Sequence, residues 1–327
     1  MAYHRSRASA GIFGLILTSF ILLQGLSYQI LDREDFSEKS SEESEFEPYL
    51  EYGFQDGYSD STFSLGHGHI CWLTTQKFVN CQGDNRFGQL GLVGEQHISS
   101  PGLSVPDLSD FGPMESISSG YNHTCSISER SLVICWGDNS FKQSTANSNF
   151  VSYLSQPTLV DLSGEAAIIT SVGESHSCAL TLGGSVWCWG DFNKGEILRD
   201  ENQARSPMKI IDGRSMKAIS VSSGKHHSCS IMLDRTVHCW GSNSENQLSL
   251  GQNVSVSTSP VRMFNLNQVQ SISMGQEFTC SLNFSGELEC WGNLESLGFA
   301  DNSPTLFEHE VPDPAIISAG GRTVCLV

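Results

Sequence analysis

The chain has 327 residues, 36 acidic and 18 basic, for a net charge of −18. No run of Lys or Arg occurs, which excludes the cationic footprint that a nucleic-acid backbone requires. Its eleven cysteines contain no Cys-x-x-Cys pair, the spacing of redox and most zinc motifs, and there is no Gly-x-Ser-x-Gly, P-loop or dinucleotide fingerprint.

The first elements are an address and a leader. His4, Arg5 and Arg7 precede an apolar run from Ile12 to Leu23, and Gly25-Leu26-Ser27 puts small residues where a signal peptidase reads. Residues 1–27 are expected to be a signal peptide. The apolar run is short for a membrane span, which needs about 20 residues; an uncleaved anchor is the alternative, and membrane contact is expected only in that case. Residues 28–47 read as an acidic disordered leader, since the stretch 32–60 holds 11 acidic and 2 basic residues. A secreted, cell-surface or periplasmic location follows.

Residues 48–327 repeat. Cys71/Cys81, Cys125/Cys135, Cys178/Cys188, Cys229/Cys239 and Cys280/Cys290 are each ten apart, and the first cysteines recur at intervals of 54, 53, 51 and 51. A period near 50 signifies a repeat architecture. Within each pair, two short apolar and β-branched runs flank a turn at 75–77, 129–131, 182–184, 233–235 or 284–286, the pattern of a β-hairpin. Pro101, Pro157, Pro207, Pro260 and Pro304 each begin a further β-rich stretch. The units therefore run approximately 48–100, 101–156, 157–206, 207–259, 260–303 and, in part, 304–327. About four short strands per unit, repeated radially, give an all-β fold, a β-propeller of about five and a half repeats.

Each cysteine pair is symmetric about its turn, so its members face each other across the hairpin. A directly opposed pair comes within reach of a disulfide, and five stapled hairpins are expected; buried free thiols are the alternative. In the chain-entropy model, closing a ten-residue loop contributes roughly 2.5–3 kcal/mol per bridge. Such a framework suits an oxidising compartment. Cys325 stands at the first-cysteine position of a sixth unit and is left unpaired. The sequence reads there as a truncated repeat, as one closed by the segment around Tyr49–Gly53, or as a site of intermolecular pairing.

Four second cysteines open Cys-Trp-Gly, with Trp136, Trp189, Trp240 and Trp291; the first copy is Cys81-Gln82-Gly83. The string Gly83-Asp-Asn85-Arg-Phe-Gly-Gln89-Leu-Gly91, with Gly120-Tyr-Asn-His123-Thr124 and Gly173-Glu-Ser-His176-Ser177, resembles the regulator of chromosome condensation repeat. The cysteine-paired version is similar to the secreted branch of that family. The resemblance implies a propeller, commonly of seven blades, whose loops bind protein partners. The nucleotide-exchange role of nuclear members is not implied, because no motif for it is matched.

Recurring polar residues are the remaining candidates. His69, His123, His176 and His227 stand two residues before a first cysteine. A metal ring is one reading; the preferred one is structural, each imidazole bonding backbone groups of its own unit. Asp84, Asp138 and Asp191, with Ser242 and Asn293 at equivalent positions, suit turns through side-chain-to-backbone bonds, and the tryptophans suit packing. Trp72 and Trp187 do not repeat and are the weak binding candidates. Asn122, Asn253 and Asn283 begin glycosylation acceptor triplets. The expected function is a non-enzymatic module binding protein or glycan, without cofactor or metal. A lyase or hydrolase, and a structural surface or adhesion protein, are the alternatives.

Overall fold

Every cysteine-to-cysteine segment folds as a hairpin with one turn geometry. The computed structural model describes residues 63–94, 97–145, 151–191, 195, 207–251, 253–264, 266, 268–299, 305–307 and 317–326; the expected signal peptide (1–27) and acidic leader (28–47) lie outside them. In the first hairpin Lys77 N–H donates to Thr74 O, and Thr74 N–H donates to Phe78 O, both at 2.8 Å. This is a type I turn closed by one left-handed residue, a common three-residue hairpin loop. The left-handed position is Lys77 (φ 61°), Ser131 (58°), Gly184 (81°), Arg235 (65°) or Gly286 (82°). Two copies use glycine there, and three hold an L side chain in a region that costs it about 1–2 kcal/mol.

The described residues form five four-stranded antiparallel sheets and one two-stranded sheet, all in simple sequential order. These blades occupy 63–104, 114–160, 167–211, 222–262, 269–307 and 317–326. In blade 2 the strands are Met114–Ser119, His123–Ser128, Val133–Asp138 and Tyr153–Val160. The first strands of successive blades pack on one another and are therefore the inner ones. Backbone bonds join the loops that follow them, including Tyr121 N–H to Gly173 O (3.3 Å) and Lys225 N–H to Gln276 O (3.2 Å).

Four of the proline stretches close a sheet; Pro304 lies outside the described residues. Pro101, Pro157 and Pro260 lie within fourth, outermost strands, and Pro207 immediately precedes one. The outer strand has a free edge, where a missing N–H breaks no ladder bond. The repeat as read along the sequence is thus out of phase with the sheet by one strand.

The cysteines behave as their symmetry requires. Cys71↔Cys81, Cys125↔Cys135, Cys178↔Cys188, Cys229↔Cys239 and Cys280↔Cys290 are directly opposed. All five are disulfides with Cα–Cα distances of 4.0–4.1 Å. Cys325 is free and exposed. After the second cysteine the chain bulges at Trp-Gly: in blade 2 the register with the outer strand shifts between Cys135 and Gly137. Gly137 has φ 105°, and a Cβ there would lie 2.5 Å from Asn122 O, so the third residue of Cys-Trp-Gly must be glycine.

Ser131→Gly removes the left-handed strain at that turn but adds backbone entropy to the unfolded chain. We expect a net stabilisation of about 0.5 kcal/mol, and destabilisation for the β-branched Ser131→Val, both read from chemical denaturation midpoints.

Candidate functional site

Most recurring residues are used up between blades. His69 Nε2 lies 2.9 Å from Thr124 Oγ1, His123 Nε2 2.8 Å from Ser177 Oγ, His176 Nε2 2.8 Å from Ser228 Oγ, and His227 Nε2 2.9 Å from Thr279 Oγ1. The imidazoles therefore bond the next blade, not backbone of their own as the sequence reading held. Thr124, Ser177 and Thr279 donate their hydroxyl protons to Gln89 O, Gln143 O and Gln247 O, each at 3.0 Å. Such a hydroxyl can only accept from the imidazole, which fixes the tautomer as Nε2–H. The same three carbonyls accept the indole N–H of Trp136, Trp189 and Trp291 at 2.8–2.9 Å.

The glycine-rich hallmark supports this junction. Asn85, Asn139 and Asn243 side chains accept from Leu90, Ser144 and Leu248 N–H and donate to Leu92, Val151 and Val254 carbonyls, closing the loop between third and fourth strands. Gln89, Gln143 and Gln247 side chains accept a local N–H and so aim their main-chain carbonyls at the next blade. The tryptophans complete the seam: Trp136 packs with the core of blade 1, Trp189 with blade 2, Trp240 with blade 3 and Trp291 with blade 4. Between blades 5 and 6 every polar member changes together. Phe278 replaces His, Val324 replaces the hydroxyl and Gly298 stands where the other copies have Gln, and Phe278 and Val324 join one apolar cluster with Leu294 and Leu297.

Burial holds His69, His123 and His227 neutral. Desolvation, with smaller repulsion from neighbouring histidines, lowers His123 and His227 to about 3. Desolvation, partly opposed by Asp84, lowers His69 to about 4. No cluster of metal-ligating side chains occurs among the described residues. The polar residues after the blade glycine act in turns: Asp138 Oδ1 accepts from Ser140 N–H (3.0 Å), Asp84 pairs with Arg86 (2.8 Å), and Asn293 caps the short helix Leu294–Leu297.

The non-repeating tryptophans form no common platform, since one is in blade 1 and the other in blade 3. Trp72 is half-buried, opposite Phe63 and Asn80. Trp187 is buried: its indole N–H donates to Glu165 (3.2 Å), and Lys209 lies 5.1 Å over its ring. Burial alone would raise the Glu165 pKa, but bonds from Lys209, Trp187, Thr181 and Ser185 outweigh it and hold the carboxyl at about 2.

Two non-repeating surfaces remain, one at each end of the strands. At the end with the first-to-second-strand loops, His67 stacks on Tyr121 at 4.1 Å. Beside them Lys225 lies between Glu174 (3.7 Å) and Glu277 (3.6 Å). At the hairpin-tip end, Leu182, Leu233 and Phe284 are the first turn residues of blades 3, 4 and 5, and they are 45%, 46% and 53% exposed. Phe264, in the link from blade 4 to blade 5 at the same end, is 75% exposed. The tips are contiguous: Leu233 N–H donates to Lys217 O, Ala218 N–H donates to Gly184 O, and Arg235 lies 4.9 Å over the Phe284 ring. The corresponding residues of blades 1 and 2 are Thr75 and Glu129, where Lys77 instead bridges Glu115 and Glu129. The turns were visible in the sequence, but their shared face and exposure were not.

A sequential, four-stranded, Trp-locked propeller of this kind defines a class, and comparison with known proteins agrees. The model of the Regulator of chromosome condensation (RCC1) repeat matches residues 115–143, 168–196 and 218–247, and a second model of that repeat matches 234–282. The chain is an RCC1-repeat β-propeller. It is 28% identical over 215 residues to the probable E3 ubiquitin-protein ligase HERC4 of Homo sapiens, covering 64% of this chain and 20% of that protein. The chain thus spans about a fifth of that curated relative's length. Among solved structures it resembles yeast RCC1 (Prp20) bound to Kap60, with a TM-score of 0.66, 20% identity, and coverage of 79% of this chain and 65% of that one. It also resembles the entire ectodomain of the Physcomitrella patens receptor kinase CR4, with a TM-score of 0.51, 19% identity, and coverage of 79% and 58%.

Acid should open the blade seams. The buried imidazoles have folded-state pKa values below the ordinary 6.5, so the unfolded chain takes up protons first. The stability they contribute is intact above about pH 6.5 and is lost as pH falls toward their folded values. We expect the melting temperature to drop steadily from pH 7 to pH 4. The double variant His123→Phe/Ser177→Val, which copies the Phe278–Val324 seam, should flatten that slope, whereas His123→Phe alone should destabilise at every pH.

Proposed function

We propose that this chain is an exported, disulfide-stapled propeller that binds a protein partner through its hairpin-tip face. The observation that carries the reading is the arc of Leu182, Leu233, Phe284 and Phe264, exposed in three adjacent blades where loop tips ordinarily carry polar or small residues. Grouped exposed apolar side chains mark contact surfaces, and a Leu–Phe arc with Arg235 at its margin has the composition of an interface centre. Protein is preferred to glycan because the exposed arc is made of Leu and Phe and contains no tryptophan, while Trp187 is buried beneath Lys209. A non-enzymatic role is preferred because Lys225 lies between the carboxylates of Glu174 and Glu277. Yeast RCC1 has been captured with Kap60, so a protein ligand has precedent on this fold.

Export is supported by the basic-then-apolar start of the sequence and by five bridges that a reducing cytosol would not sustain. The similar CR4 structure is itself an ectodomain.

A photo-cross-linking residue at Leu233, in the chain as its own cells make it, should yield a covalent protein adduct. Leu182→Asp and Phe284→Asp together should abolish that adduct while leaving the melting temperature within a few degrees. Adducts from a probe at Asp138, at the opposite end, with none from Leu233 would overturn the assignment. Alkylation under denaturing, non-reducing conditions should label Cys325 alone; labelling of all eleven cysteines would end the export reading.

A further inference from the structure

We propose that Asn253 accepts an N-linked oligosaccharide and that the chain's other two acceptor triplets do not. This rests on the export reading, because the modification takes place in the secretory lumen.

The three triplets have different surroundings. In Asn122-His123-Thr124, the Thr124 hydroxyl is fully buried, bonded to Gln89 O at 3.0 Å and to His69 at 2.9 Å. In Asn283-Phe284-Ser285, the asparagine amide closes its own hairpin turn. Its Oδ1 accepts from Ser285 N–H (3.1 Å), Ser285 Oγ (2.8 Å) and Glu287 N–H (2.8 Å), and its Nδ2 donates to Glu287 at 2.6 Å. A sugar on that nitrogen would displace the Glu287 contact and crowd Phe284.

Asn253-Val254-Ser255 is exposed at all three residues. Its backbone is held from beneath: Asn243 Nδ2 donates to Gly251 O (3.1 Å) and Val254 O (2.6 Å), and Asn243 N–H donates to Ser255 O at 2.8 Å. Val254 N–H closes the turn onto Gly251 O at 3.4 Å. The loop is thus anchored through main-chain atoms, which leaves the Asn253 amide to a transferase.

The co-reactant is a lipid-pyrophosphate-linked oligosaccharide. Nδ2 of Asn253 forms a bond to C1 of its first sugar, the C1–O bond to pyrophosphate breaks with its electron pair leaving on the pyrophosphate, and one amide proton passes to a base of the transferase. The loop joins third and fourth strands, at the end opposite the hairpin tips, so the glycan leaves Leu182, Leu233 and Phe284 clear. A glycan on Asn283 would cover them.

The full chain, expressed for secretion in a glycosylating host, should carry one oligosaccharide removable by an endoglycosidase. Asn253→Gln should abolish the mass shift, and so should Ser255→Ala, which covers any misfolding of the first variant. Asn122→Gln and Asn283→Gln should leave it unchanged. Secreted, disulfide-bonded protein with no glycan at Asn253, or with one at Asn122 or Asn283, overturns the proposal and leaves the export reading standing. Cytosolic retention with free thiols overturns both.

Discussion

Three of the described blade seams turn on one carbonyl each. Gln89 O, Gln143 O and Gln247 O each receive an indole N–H and a hydroxyl from the following blade, and that hydroxyl receives a histidine proton from the preceding one. All of these groups are buried, and an unpaired member would cost about 1–3 kcal/mol in desolvation. Each blade therefore fixes its neighbour's angle through directional bonds, while the tryptophan supplies the apolar area. The imidazole also lies so close over the preceding glycine that a Cβ on Gly173 would fall 2.5 Å from His176 Cε1.

That economy separates structure from function along the sequence. The residues that announce the repeat (His, hydroxyl, Cys, Trp, Gly, Asn and Gln) are consumed by the seams and hairpins. What remains to contact anything else is whatever does not recur, and the structure collects it at the two ends of the strands. The tip positions show the divergence most plainly. A hydrogen-bonded turn tolerates almost any first residue, so Thr75 and Glu129 could be replaced by Leu182, Leu233 and Phe284 without disturbing the hairpin beneath. The hairpin beneath does not require apolar residues at those tips, which is why the proposed contact face is placed there.

The sequence revealed the hairpins, the cysteine pairing and the fold class because those follow from local symmetry: residues equidistant from a three-residue turn must face each other. It did not reveal the phase of the sheets, since a proline looks alike at the start of a unit or on the free edge of the previous one. Nor did it reveal where the histidines point, because a contact 52–55 residues away leaves no trace in local pattern. One trace was legible and passed over: Phe278 and Val324 depart together from the His and hydroxyl columns, which is how two positions in contact change. Trp187 misled because its failure to repeat reflects a local Glu165–Lys209 network, not a surface role.

Bridges and seams protect the molecule against different insults. Each disulfide lies inside one hairpin and restricts only a ten-residue loop of the unfolded chain, so it does nothing to hold one blade against the next. The seams hold blades together, but through neutral buried imidazoles that acid can charge. Acid should therefore loosen the contacts between blades while each stapled hairpin persists, and reduction should weaken the hairpins while the seams still register them. The seam between blades 5 and 6 is the exception: Phe278, Gly298 and Val324 stand in place of the polar set, and its apolar cluster contains no histidine. Three of the described seams thus share an expected pH weakness through His69, His123 and His227, and the last is insulated from it by the same substitutions that hide its kinship to the repeat.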